Sequence, residues 1–96
     1  MDSTQDKRLS RVVVYGRDGC EDTDAARKWL QENRIPFTEV NINRDAQGEW
    51  FVLVINNGKR MTPTIVVGDD KIKTVLSVPE PALLESVVRS IPNPIT

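Results

Sequence analysis

Few folds accommodate the stretch from residue 11 to residue 42. Arg11 to Tyr15 holds three valines and a tyrosine in unbroken succession, the pattern of a strand covered on both faces in the middle of a sheet. The run stops at Gly16-Arg17-Asp18-Gly19, where two glycines turn the backbone. Glu21, Asp22 and Asp24 then place negative charge in a first helical turn, and Ala25, Ala26, Trp29 and Leu30 recur at three- and four-residue spacing. That predicts an amphipathic helix over 21–33 with Trp29 on its core-facing stripe. Ile35-Pro36-Phe37 opens an extended segment, and Phe37-Thr38-Glu39-Val40-Asn41-Ile42 alternates as a half-buried strand does. Strand, helix and strand at this spacing make a parallel, right-handed crossover unit.

The next segment can be read two ways. Trp50-Phe51-Val52-Leu53-Val54-Ile55 has the aromatic and β-branched content of a strand. Asp45 is nevertheless a good helix cap, Ala46, Trp50, Leu53, Val54 and Asn57 share one helical face, and Asn57-Gly58 is a stop signal, so a helix is predicted. Phe51, Val52 and Ile55 would then point away from the packed face, and a partner or self-association surface is expected there. Thr64-Ile65-Val66-Val67 and Lys71-Ile72-Lys73-Thr74-Val75 flank Gly68-Asp69-Asp70 as a hairpin. Ser77-Val78-Pro79-Glu80 reads as a capping box opening a last helix with Leu83, Leu84, Val87 and Val88, ended before Pro92. The expected organisation is a flexible tail over 1–9, one domain over 10–92 and a short tail over 93–96.

Charge and cysteine content narrow the function. Thirteen basic against fourteen acidic residues leave a net charge of −1, with the signs interspersed, so neither nucleic acid nor an anionic membrane is an expected partner. No apolar run approaches a membrane span and nothing at the start reads as a signal peptide, so a reducing, cytoplasmic setting is expected. With a single cysteine and no histidine, no internal disulfide is possible and no metal is expected. That cysteine, Cys20, falls where the helix begins. Unpaired N–H groups and a partial positive charge there stabilise a thiolate, although an isolated cysteine is commonly just a small buried residue.

The order strand, helix, strand, helix, strand, strand, helix with a cysteine at the first strand-to-helix corner resembles the glutaredoxins. The matching residues are Val13-Val14-Tyr15, the Arg17-Asp18-Gly19-Cys20 loop, Ala26 and Leu30, Ile35-Pro36-Phe37, and Thr62-Pro63-Thr64-Ile65-Val66-Val67-Gly68. The resemblance implies an α/β thioredoxin-like three-layer sandwich with a four-stranded mixed sheet, and Pro63 in the cis form beside the cysteine. It also implies thiol–disulfide exchange in cell redox homeostasis. Where glutaredoxins commonly carry Cys-Pro-Tyr-Cys or Cys-Gly-Phe-Ser, this chain has Cys20-Glu21-Asp22-Thr23. The resolving thiol is therefore absent, and the Gly-Gly pair that usually follows the fourth strand is replaced by Leu76-Ser77-Val78. What remains of the family's glutathione site is Arg17, at the place of a basic residue that pairs with a glutathione carboxylate, and the backbone of Thr62 before Pro63.

The leading expectation is a monothiol oxidoreductase. Cys20 attacks a mixed disulfide, Arg17 and the Thr23 hydroxyl support its thiolate, and glutathione or another low-molecular-weight thiol is the co-substrate. Its partners would be thiol or disulfide proteins or small thiols. Glu21, Asp22 and Asp24 oppose ionisation of the thiol while the helix end favours it. Two alternatives stay open: a binding module whose catalytic site has decayed, and an iron–sulfur carrier using Cys20 from each of two copies with two outside thiols.

Overall fold

A computed structural model describes residues 12–68 and 73–90. The elements, in chain order, are β1 (Val12–Gly16), α1 (Glu21–Glu32), β2 (Thr38–Asn41), α2 (Ala46–Ile55), β3 (Thr64–Gly68), β4 (Lys73–Ser77) and α3 (Pro81–Ser90). The expected tails and the Asp69-Asp70 turn of the hairpin lie outside the described residues.

The strands form one four-stranded sheet in the order β2-β1-β3-β4. β1 runs parallel to β2, with Tyr15 opposite Val40, and antiparallel to β3, with Val14 opposite Ile65. β3 and β4 are antiparallel, with Thr64 opposite Ser77. Alternation along β1 sends its side chains to both faces. Val12 and Val14 join Ile65, Val67 and Leu76 in a core completed by Ala26 and Leu30 of α1 and by Leu84 and Val88 of α3. Trp29 packs against the edge of that core. Tyr15 points the other way, its ring 4.7 Å from that of Phe51 in α2. The sheet is thus sandwiched with α1 and α3 on one face and α2 on the other, the three layers that the resemblance implies.

The sequence signals for α2 are right about its ends and wrong about its face. Asp45 caps it by accepting from the Gly48 N–H at 2.9 Å. At the other end Asn57 and Gly58 take positive φ, 61° and 88°, and the Gly58 N–H closes onto the Leu53 carbonyl, a Schellman-type stop. The buried stripe, however, is Gly48, Val52 and Asn56, whereas Trp50 is 67% and Val54 56% exposed. The expected self-association surface of Phe51, Val52 and Ile55 is therefore corrected: Val52 is fully buried, Phe51 is half-buried against Tyr15, and only Ile55 is exposed. The reason is steric. Residues 50–55 are apolar all round the helix, so periodicity selects no face. Gly48 decides it, because even a Cβ there would lie 2.7 Å from Val40 Cγ1 and hold the helix off β2.

A second correction concerns Ser77. It caps nothing, being the last residue of β4 and paired across the ladder with Thr64. The last helix instead starts at Pro81, whose fixed φ and missing N–H suit a first helical position, and the Leu84 N–H bonds to the Glu80 carbonyl at 3.0 Å.

Candidate active site

Cys20 is the N-cap of α1, in extended conformation, with its carbonyl accepting from the Asp24 N–H at 3.0 Å. The chain reaches it through Gly19 at φ 72°, a left-handed turn that glycine adopts without penalty. Cys20 is a free thiol and only 6% exposed. Across from it, forty-two residues on, lies the Thr62–Pro63 peptide bond, in the cis form that the resemblance implies. The Thr62 hydroxyl donates to Cys20 Sγ at 3.3 Å, and the thiol faces the Thr62 carbonyl at 3.5 Å.

Thr23 completes the surroundings of the sulfur from one turn along α1. Its side chain is wholly buried, and among the described residues its hydroxyl meets no conventional nitrogen or oxygen partner. It lies over Gly16, where a Cβ would come within 2.3 Å of Thr23 Cγ2. The ionisation of Cys20 follows from these contacts. Burial pushes the thiol up, but hydrogen bonds from the Thr23 and Thr62 hydroxyls and from the Thr23 and Asp22 N–H groups outweigh it and hold the thiol below its ordinary range. A neutral S–H is a weak acceptor and a thiolate a strong one, so the Thr23 hydroxyl beside Cys20 favours the ionised sulfur. A thiolate so placed can attack a disulfide, and with no second thiol in the chain it cannot resolve the product internally.

The acids at the corner are not equivalent. Asp24 is bound by Arg27 at 2.8 Å, and Arg27 also grips Glu39 of β2 through two short bonds. Asp18 accepts from Asn41 at 3.0 Å, tying the Gly16–Gly19 loop to the end of β2. Glu21 and Asp22 are exposed and take part in no ion pair among the described residues. Arg17 is half-buried on the loop before Cys20 and likewise makes no ion pair among them. Cys20, Thr23, Thr62 and Pro63 are therefore brought together, while among the described residues Arg17 makes no hydrogen bond to the sulfur.

Two features of the site take their meaning only from the structure. Val78 follows β4 at φ 48°, unusual for a β-branched residue, and its N–H bonds to the Pro63 carbonyl at 2.8 Å. It stands where the Gly-Gly pair of the resemblance belongs, which explains why glycine suits that place. The other is a polar cluster of Asn56, Thr64 and Ser77 beneath the Thr62–Pro63 turn. Among the described residues no group of three or more His, Cys, Asp or Glu side chains is placed to hold a metal ion, and no helix is long and apolar enough to cross a membrane.

Comparison with known proteins agrees with this architecture. In fold, the chain superposes on the thioredoxin-like protein BC3987 with a TM-score of 0.67 at 19% identity, covering 82% of this chain and 95% of that one. For the glutaredoxin grx-1 from Archaeoglobus fulgidus the TM-score is 0.66 at 16% identity, covering 88% and 91%. In sequence, it is 40% identical over 58 residues to the glutaredoxin-like protein NrdH of Lactococcus lactis subsp. cremoris strain MG1363, and equally to that of L. lactis subsp. lactis strain IL1403. Each alignment spans 60% of this chain and 78% of the relative. The glutaredoxin family model matches residues 12–72, a segment that runs from β1 past the cysteine corner and the cis proline to the hairpin, and the chain belongs to the glutaredoxin family.

Proposed function

We propose that this protein is a monothiol thiol–disulfide oxidoreductase with Cys20 as its nucleophile, working in a reducing cytoplasm. The observation that carries the proposal is the convergence of donors on one sulfur: Thr62 Oγ1 at 3.3 Å, with the Thr23 hydroxyl and two α1 N–H groups favouring the thiolate. The Cys20 thiolate attacks one sulfur of a substrate disulfide. The S–S bond breaks, the departing thiolate takes a proton from solvent, and Cys20 is left in a mixed disulfide. A second thiolate from solution, glutathione or another low-molecular-weight thiol, attacks that mixed disulfide. This forms a new disulfide and returns Cys20 as thiolate, so the electron pair comes from the solution thiol and none is left on the protein. Arg17 pairs with a carboxylate of the co-substrate, and the backbone of Thr62 flanks the bound disulfide beside Pro63. Partners are proteins or small molecules that carry a disulfide.

The experiment is reduction of a glutathione mixed disulfide, with and without added glutathione, by the wild-type protein and by Cys20→Ser. Glutathione-dependent turnover that Cys20→Ser abolishes is expected. Turnover unaffected by Cys20→Ser, or none in the wild type, would overturn the proposal and leave a thioredoxin-fold binding module, a reading favoured by Val78 in place of glycine and by the small exposure of Cys20.

A further inference from the structure

We infer that Asn56, which does not touch the cysteine, is a positioning residue that holds Thr62 against Cys20. The route runs through side chains at the interface of α2, β3 and β4. Asn56 caps the end of α2 and is 9% exposed. Its amide nitrogen donates to the Val52 carbonyl at 2.8 Å and to Thr64 Oγ1 at 3.0 Å, and its amide oxygen accepts from the Ser77 hydroxyl. Thr64 is fully buried, and having accepted from Asn56 its hydroxyl donates onward to the Met61 carbonyl at 2.7 Å. Met61 is the residue before Thr62. On the other side of the turn the Val78 N–H, next to Ser77, holds the Pro63 carbonyl at 2.8 Å.

Thr62 and Pro63 are thus pinned before and after by one connected set of bonds centred on Asn56. Every polar atom of its amide group has a partner in that set, so the position of the turn follows from where Asn56 is anchored at the end of a helix. The two bonds between Thr62 and Cys20, at 3.3 and 3.5 Å, carry this geometry to the sulfur. Burying an amide is costly unless it is hydrogen-bonded, and at the end of α2 this network supplies every partner that Asn56 needs.

The inference rests on Cys20 being the reactive thiol, and it is tested by the pH dependence of Cys20 alkylation by iodoacetamide, which needs no substrate or partner. Asn56→Ala and Thr64→Val remove links without changing charge. The charged residues next to Cys20 and Thr62 in the chain, Arg17, Glu21, Asp22, Lys59 and Arg60, are unchanged in both variants, so a moved profile reports geometry. Both variants are expected to shift the profile toward alkaline pH and slow alkylation at pH 7 about three- to tenfold, the scale of a loosened hydrogen bond to a thiolate. The rate at high pH, where every thiol is ionised, should stay the same. Thr64→Ser, which keeps the hydroxyl, should retain the wild-type profile. In a Thr62→Val background the effect of Thr64→Val should disappear, because the link it acts through is gone. A lowered melting temperature with an unmoved profile would overturn the inference, as would an equal shift in the Thr62→Val background. Should Asn56→Ala fail to fold, the near-isosteric Thr64→Val decides the matter alone. An ordinary thiol profile in the wild type would instead count against the proposed function as well, so the two failures are distinguishable.

Discussion

Replacing Gly16 by alanine tests how the cysteine corner is built. Gly16 ends β1 and is buried, and a Cβ there would meet Thr23 Cγ2 at 2.3 Å, Oγ1 at 2.9 Å and Cβ at 3.2 Å. Carbon atoms in good contact sit about 3.5–4.0 Å apart, so the first of these is short by more than an ångström. Neither side can give way cheaply. Gly16 is held opposite Asn41 in the ladder and accepts from the Ile42 N–H at 2.8 Å. Thr23 is β-branched, wholly buried and restricted at χ1. Overpacking of this kind destabilises by about 1–3 kcal/mol, which for a domain of this length lowers Tm by roughly 5–20 °C. The sign is itself diagnostic. Gly16 does not take a positive φ, and at an open site glycine to alanine would stabilise by about 0.4–1 kcal/mol through the unfolded chain. Thermal melts of Gly16→Ala, Thr23→Ser and the double variant make the assay. Thr23→Ser deletes the Cγ2 that clashes most, so the double variant should recover most of the loss, a coupling of about 1–2 kcal/mol against the ~0.5 kcal/mol scatter of independent sites. A Gly16→Ala protein that melts at or above wild type, or strictly additive effects, would refute the close approach of β1 and α1 on which the placement of Thr23 rests.

Three further outcomes are expected. Thr23→Cys places a thiol one helical turn from Cys20, within the reach of a disulfide. It should form an internal disulfide under mild oxidant, seen as two thiols lost on titration, whereas two titratable thiols after oxidation would mean that the corner is wrongly described. Because the folded protein holds the Cys20 thiol below its unfolded value, the stabilisation is complete above the unfolded value and is lost as pH falls through the folded one. The stability advantage of wild type over Cys20→Ala in urea should therefore be larger at about pH 9 than at about pH 6, and a flat or reversed difference would contradict the donor arrangement. Finally, Val78→Gly relieves a left-handed conformation worth about 1–2 kcal/mol for a residue with a Cβ, against about 0.5–1 kcal/mol of added unfolded-state freedom. A Tm raised by a few degrees is expected, and a fall would show that the conformation is not strained.

The sequence by itself determined the order of elements, because each carries a local signal. The unbroken valines of β1, the acidic first turn of α1, the Asp45 cap of α2 and the Asn57-Gly58 stop are all read from a few adjacent residues, and all stand in the structure. The cysteine corner was legible for the same reason. The inward face of α2 was not, since Trp50 to Ile55 is apolar all round and the choice depends on Gly48 meeting Val40 of another element. Ser77 mimicked a helix cap because the capping pattern is local, while its true partners, Thr64 across the ladder and Asn56 on α2, are distant in the chain. The protonation of Cys20 depends likewise on Thr62, forty-two residues away, brought within 3.3 Å only when β3 is laid against β1. Local interactions are written in neighbouring residues and so can be read from them, whereas the burial of a face and the donors around a sulfur are set by which elements pack together, and that the tertiary structure alone decided.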